Sequence, residues 1–263
     1  MPTLEIKKTT KTTKNTTKTT KNIEITELQR AKVIVVIRGT SGLLSNRRTP
    51  EAELALMVGG GKNKEDIEDT PKHDMLKEYR DSMHIFPDAN KHTSVFMPSV
   101  MMKSAMANTA LELGRSVTKE NVKRLVYFPE DYIPIYGMPR LRYDVVMRSG
   151  RGRTADIRTR AFFPEWWSIF PVLYMESRIT EGSICALVHN AGQINGIGDY
   201  RVGQGRKEYG AFGIETWQGS LRKTVGAANL DKAGQRELID NPIPLDDAAA
   251  RMFAKNQEIV AGA

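Results

Sequence analysis

Residues Ala191 to Trp217 read AGQINGIGDYRVGQGRKEYGAFGIETW. The preceding ITEGSICALVHN (179–190) has helical character, and YGAFGIETW (209–217) alternates like a strand. Between them lies a glycine-dense loop with Arg201, Arg206 and Lys207 interleaved. Glycine lets backbone approach a ligand closely and adopt positive φ, and free N–H groups beside cations complement phosphate. The order helix–loop–strand is the reverse of a Rossmann fingerprint, and no G-x-x-x-x-G-K-[ST] run occurs. A plain glycine-rich connection has the same composition, so the elements around the loop must decide between the two.

Those elements form a simple series. Lys32 to Gly39 (KVIVVIRG) is a β-branched strand closed by glycine. Ser94 to Met97 is extended. Pro98 then opens a helix, PSVMMKSAMANTALELG, which Gly114 stops. ADIRTRAFF (155–163) and SIFPVLYMES (168–177) alternate and read as a β-hairpin joined at Pro164-Glu165-Trp166-Trp167. One of the two tryptophans is expected in the core and the other at a subunit interface. Thr180 starts the next helix with an incomplete capping box, since Ser183 stands where Glu or Gln would complete it.

The resulting order is β (32–39), α (98–113), β (155–163), β (168–177), α (180–191), β (209–217). This predicts an α+β, ferredoxin-like (RRM-like) βαββαβ core over residues 23–219. Two large insertions interrupt it, at about 45–93 and 118–155. The first reads as a mobile excursion apart from a helix near Lys72–Asp81. In the second, short strands are expected at Arg124–Phe128 and Tyr143–Met147. Residues 220–263 form a helical extension, with amphipathic helices at 231–239 and 245–260 separated by Pro242 and Pro244.

The chain has 263 residues and a formal charge of +8. Six lysines against one glutamate in residues 1–22 supply +5 of that, which leaves the body mildly basic. This Thr/Lys tail has little to bury and is expected to be disordered, with a tether to a polyanion as the functional alternative. Any nucleic-acid reading must therefore rest on local clusters. A single cysteine, Cys185, leaves no intramolecular disulfide and suits a reducing compartment. No apolar run is long enough to span a membrane, and no signal peptide is visible. The expectation is a cytoplasmic protein of a bacterial, archaeal or phage-infected cell, with no membrane partner.

Met97-Pro98-Ser99-Val100-Met101-Met102-Lys103-Ser104 resembles the motif that opens the first helix of the RAMP superfamily of CRISPR effector proteins. Ser99 replaces the family's glycine, and its trailing arginine is absent. The glycine loop occupies the position of that family's glycine-rich loop, and RGTSGLLSNR (38–47) is similar to its opening strand and following loop. The resemblance covers about residues 31–217. The chain looks most like the backbone-forming subunits, and like phage-encoded relatives that share a GIGxYR…YGxF loop. The resemblance implies a ferredoxin-like core, subunits lined up along guide RNA, and contacts to its phosphates.

The candidate nucleic-acid contacts are Arg38, Arg47, Lys103, Gly198, Arg201, Gly203, Gly205, Arg206 and Lys207, together with an arginine-rich stretch. Residues 140–160 carry seven arginines against Asp144 and Asp156. Of these, Arg148, Arg151 and Arg153 are expected at a flexible β-loop tip. Alternation puts Arg158 and Arg160 on one face of their strand, expected to be the open one. Lys103, near a helix N-terminus, is electrostatically disfavoured without a nearby anion. Tyr200 and Tyr209 suit either base stacking or core packing.

No metal or cofactor is expected. His73, His84, His92 and His189 lack metal-ligand spacing, and Asp88 is the one acid suggestive of catalysis. The favoured function is a non-catalytic binder of single-stranded RNA or DNA that self-associates side by side, with other effector-complex subunits as further partners. Two alternatives remain open at this point: a RAMP-type RNA endonuclease using Asp88 or His92, and a phage structural or assembly protein without nucleic acid.

Overall fold

The computed structural model describes residues 28–58, 72–87, 91–112, 117–147, 155–205, 207–215 and 232–262. The N-terminal tail, Asp88, Arg148, Arg151, Arg153, Arg206 and Trp217 lie outside the described residues.

Strand β1 (Arg30–Gly39) forms around an unbroken run of five β-branched residues, Val33 to Ile37. It pairs antiparallel with β9 (Trp167–Met175), in register from Arg30 opposite Met175 to Arg38 opposite Trp167. Its other edge takes β10 (Phe212–Ile214), and β9 takes β5 (Val126–Tyr127). The sheet order is β10-β1-β9-β5, with every neighbouring pair antiparallel. Val33, Val35, Ile37, Phe170, Val172 and Tyr174 share the face that joins the core. Met102 and Met106 of α3 (Ser99–Thr109), and Ile184, Leu187 and Val188 of α5 (Glu181–Ile194), belong to the same cluster. Thr180 caps α5 by accepting from Ser183 N, as the sequence suggests.

Two smaller antiparallel sheets flank this layer. One has the order β2-β8-β7 (Leu43–Leu44, Ala155–Phe163, Arg140–Met147) and the other β3-β4-β6 (His84–Ile85, Val95–Pro98, Tyr132–Ile135). The expected hairpin of 155–163 with 168–177 does not form. β8 pairs with β7 and β2, whereas β9 lies between β1 and β5. The reason is Trp166. It is buried, its Nε1–H donates to Ser41 O, and its ring lies against Gly39, so the link from β8 to β9 turns from one sheet into another. Trp167 is half-buried on β9. The strand beside β9 is therefore the two-residue β5, which follows α4 (Lys119–Leu125).

The helix expected near Lys72–Asp81 forms as Met75–Asp81, and the described residues around it, 72–87, are packed on the core instead of forming a mobile excursion. Met75 and Tyr79 of α2 (Met75–Asp81), and Met83 after it, are buried. Ser82 explains the attachment: its Oγ accepts from Ala161 N of β8, while its carbonyl accepts from Ser45 Oγ. Another helix, α1 (Pro50–Val58), precedes this segment. The C-terminal helices α6 (Lys232–Asp240) and α7 (Asp247–Ala261) pin it from outside. Tyr79 Oη donates to Leu238 O, Asn256 spans His73 O and Met75 N, and buried Gln235 bonds Ser94, Ile135 and Gly137. Among the described residues, no helix is long and apolar enough to cross a membrane.

Candidate nucleic-acid interface

The glycine loop begins where α5 runs out at Asn195. That side chain donates from Nδ2 to Thr109 Oγ1 at 2.6 Å and to Ala105 O at 3.4 Å, which joins the loop to α3. The loop then closes on itself and on the β1–β2 turn. Ile197 N donates to Gly210 O, Gly210 N to Gly42 O, and Asp199 N to Leu44 O, all at 2.8–3.0 Å. A single 3₁₀ turn (Val202–Gln204) occupies the middle, and Arg201 bridges to Tyr209. The segment is thus a hydrogen-bonded unit that two distant stretches of chain hold in place.

Charge holds the loop to β7 and β8. Arg160 is buried, and its guanidinium pairs with Asp144 at 2.8 Å and with Asp199, while stacking 4.7 Å from the Tyr200 ring centre. Asp199 also accepts from Asn46 Nδ2 and from Tyr200 N. Asp144 takes Arg142 at 3.0 Å and Lys207 at 3.2 Å. Lys207 lies over both Tyr200 and Tyr209, and Arg142 over Tyr209 and Phe162. Tyr200 has a φ of +50°, unusual for a residue with a side chain, and the interactions around it hold it there.

This arrangement corrects the expectation for Arg160. It shares a strand face with Arg158, but that face is not open along its length, because the loop folds over Arg160 and leaves Arg158 exposed. Burying a guanidinium is tolerable only with partners, and Asp144 and Asp199 provide them. Asp199, Asp144 and Asn46 are the residues that the sequence reading missed. The available signal was an acid, Asp199, directly inside a basic glycine loop.

Asp144 reports the strength of the network. Burial pushes its carboxyl upward, but the hydrogen bond and charge of Arg142, the Lys207 hydrogen bond and the Arg160 charge outweigh this and hold it at about 2, against 3.8 for a free group. A depressed folded-state pKa contributes stability that is complete above the unfolded value and is lost as pH falls through the folded one. That contribution is at most about 2 kcal/mol, reduced by solvent screening because the carboxyl is only half-buried, and it disappears between about pH 4 and pH 2. Asp144→Asn should remove this part of the acid profile and lower stability near neutrality. Tryptophan fluorescence in urea, repeated across that window, measures it. A variant whose stability falls in parallel with the parent's would contradict the assignment.

Two hollows border the loop. One, of about 210 Å³, lies against α3 and is lined by Val100, Ser104, Asn108, Gly196, Gly198 and Arg201. The second, of about 170 Å³, is lined by Asn46, His84, Met101, Gly198, Asp199 and Arg201. Arg201 lines both. Among the described residues its guanidinium has one long hydrogen bond, 3.4 Å to Gly198 O. Burial and the charge of Arg47 lower the His84 imidazole from its ordinary value, against a smaller opposing effect of Glu53.

The remaining candidates divide. Gly198 lines both hollows, Gly203 packs against Asn195, and Gly205 faces open space. Arg47 is half-buried and lies 3.9 Å from exposed Glu53, a loose pair. Lys103 points elsewhere on α3, with its Nζ 5.5 Å from the Tyr127 ring centre, and it lines neither hollow. Arg38 is exposed over the Trp167 ring at 5.5 Å.

No family model and no curated protein sequence matches the chain. Solved structures do. The crystal structure of Cmr6 from Pyrococcus furiosus aligns at 10% identity with a TM-score of 0.37, covering 72% of this chain and 100% of that one. The cryo-EM structure of the type III-B Cmr-beta bound to cognate target RNA aligns at 13% identity and 0.35, covering 70% of this chain and 59% of that one. At these scores the likeness assigns no role to any residue.

Proposed function

We propose that the chain is a non-catalytic protein that binds the backbone of single-stranded nucleic acid and assembles side by side along it, as the resemblance to RAMP effector subunits implies. The carrying observation is Arg201, a nearly unpartnered guanidinium set between the glycine loop and one face of α3, from Val100 to Asn108. Hydroxyl and amide groups of Ser104, Asn108 and Asn46 surround it, a set suited to phosphate and sugar oxygens. The sheet order supports the ferredoxin-like reading. With β5 as second strand, β10-β1-β9-β5 is the arrangement of a split βαβ domain, and α3 and α5 pack on one face. β8 belongs to the insertion.

Fluorescence anisotropy with labelled oligo(U) RNA and oligo(dT), from about 50 to about 200 mM salt, tests the proposal. Binding should weaken steeply with salt. Arg201→Ala should cost about tenfold in affinity and reduce the salt slope by about one. No binding to either probe at the lowest salt would end this reading. Gel analysis of the same RNA separates it from the nuclease alternative, and light scattering with and without RNA reads the assembly.

A further inference from the structure

The insertion adds a cleft of about 600 Å³ beside the glycine loop, in which Arg47, Arg48 and Arg158 line one space. Arg48 and Arg158 are exposed, and among the described residues neither has a hydrogen-bond or ion-pair partner. The acids of the cleft are already engaged. Glu78 receives His73 Nδ1 at 2.6 Å and Thr159 N at 3.0 Å. Asp156 receives Lys72 at 2.7 Å and His73 Nε2 at 3.0 Å. Arg160 lines the cleft as well but is neutralised by Asp144 and Asp199. The other three guanidiniums repel each other, and a low-dielectric wall focuses their field. A bound anion relieves that repulsion.

The cleft also adjoins the proposed binding site, with Asn46 at the boundary. Asn46 lines both it and the hollow beside Asp199, and that hollow shares Met101, Gly198 and Arg201 with the one against α3. The three concavities therefore lie in a row, from Asn108 past Arg201 and Asn46 to Arg158. We infer that the arginine cleft is a second phosphate-binding station for the same strand, so that a polynucleotide lies along the whole row. This inference rests on the proposed function.

The test uses the full chain and the same labelled oligo(U) and oligo(dT). A double variant, Arg48→Ala with Arg158→Ala, should bind about tenfold or more weakly and reduce the salt slope by about two. Both side chains are exposed, so thermal unfolding should match the parent and exclude misfolding. Unchanged affinity and slope in the double variant, with Arg201→Ala weakened, would overturn the inference and leave the proposed function standing. The reverse pattern would uphold the cleft and remove the glycine loop from the path. Failure of the parent to bind either probe would overturn both.

Discussion

Replacing Arg160 with methionine should destabilise the protein by about 3 kcal/mol, whereas Arg158→Met on the same strand should change it by about 0.5 kcal/mol or less. Methionine keeps much of the arginine stem's volume, so the substitution chiefly removes charge. What remains is a problem of unpaired acids. Asp199 loses its guanidinium partner and keeps neutral hydrogen bonds from Asn46 and Tyr200 N, and Asp144 keeps Arg142 and Lys207 but loses one of three cations. Removing one partner from a buried pair costs more than the pair is worth, because the other charge stays desolvated. The stacking of Arg160 on Tyr200 is lost as well. Urea denaturation followed by tryptophan fluorescence should show the midpoint falling by about 1–2 M. RNA binding should fall with it at intermediate urea, since the loop depends on this anchor. Equal, small effects of the two substitutions would mean that the network does not hold the loop.

The second large effect is expected at Gly210. Its φ is +66°, and a Cβ built there would lie 1.7 Å from Ile197 O, the carbonyl of a neighbouring backbone segment. Nothing flexible is available to yield. Gly210→Ala should therefore cost about 4 kcal/mol, combining the left-handed backbone with the clash. Gly205 provides the control. Its φ of +63° carries the same backbone penalty, but a Cβ there meets nothing within 4 Å, so Gly205→Ala should cost about 1 kcal/mol. Thermal unfolding of the pair distinguishes the two contributions. If both cost about 1 kcal/mol, the closure of Gly210 on Gly42 and Ile197 is not a feature of the folded protein.

These two sites show where sequence reading succeeds and fails. The strand at Val33–Ile37, the helix after Pro98, the capped helix at Thr180 and the two C-terminal helices were legible because each depends on neighbours a few residues away. Periodicity, caps and breakers are local, and they survive in a single sequence. The pairing of 155–163 with 168–177 was misread for the opposite reason. Alternation announces a strand without naming its partner, and a buried tryptophan 127 residues from Gly39 along the chain decided that the two strands part.

The amino-acid sequence by itself determined the glycine loop's place between a helix and the final strand, and its mix of glycines with cations. It also determined that Arg158 and Arg160 share a strand face. Only the tertiary structure decided which arginine remains available to a ligand. The loop, arriving from 39 residues downstream, covers Arg160 and pairs it with Asp199, while Arg158 opens into a cleft built by the insertion. Side-chain direction follows from the backbone of one strand, but burial depends on what another segment lays over it. That covering turns one arginine into an anchor for the loop and leaves the other facing the cleft.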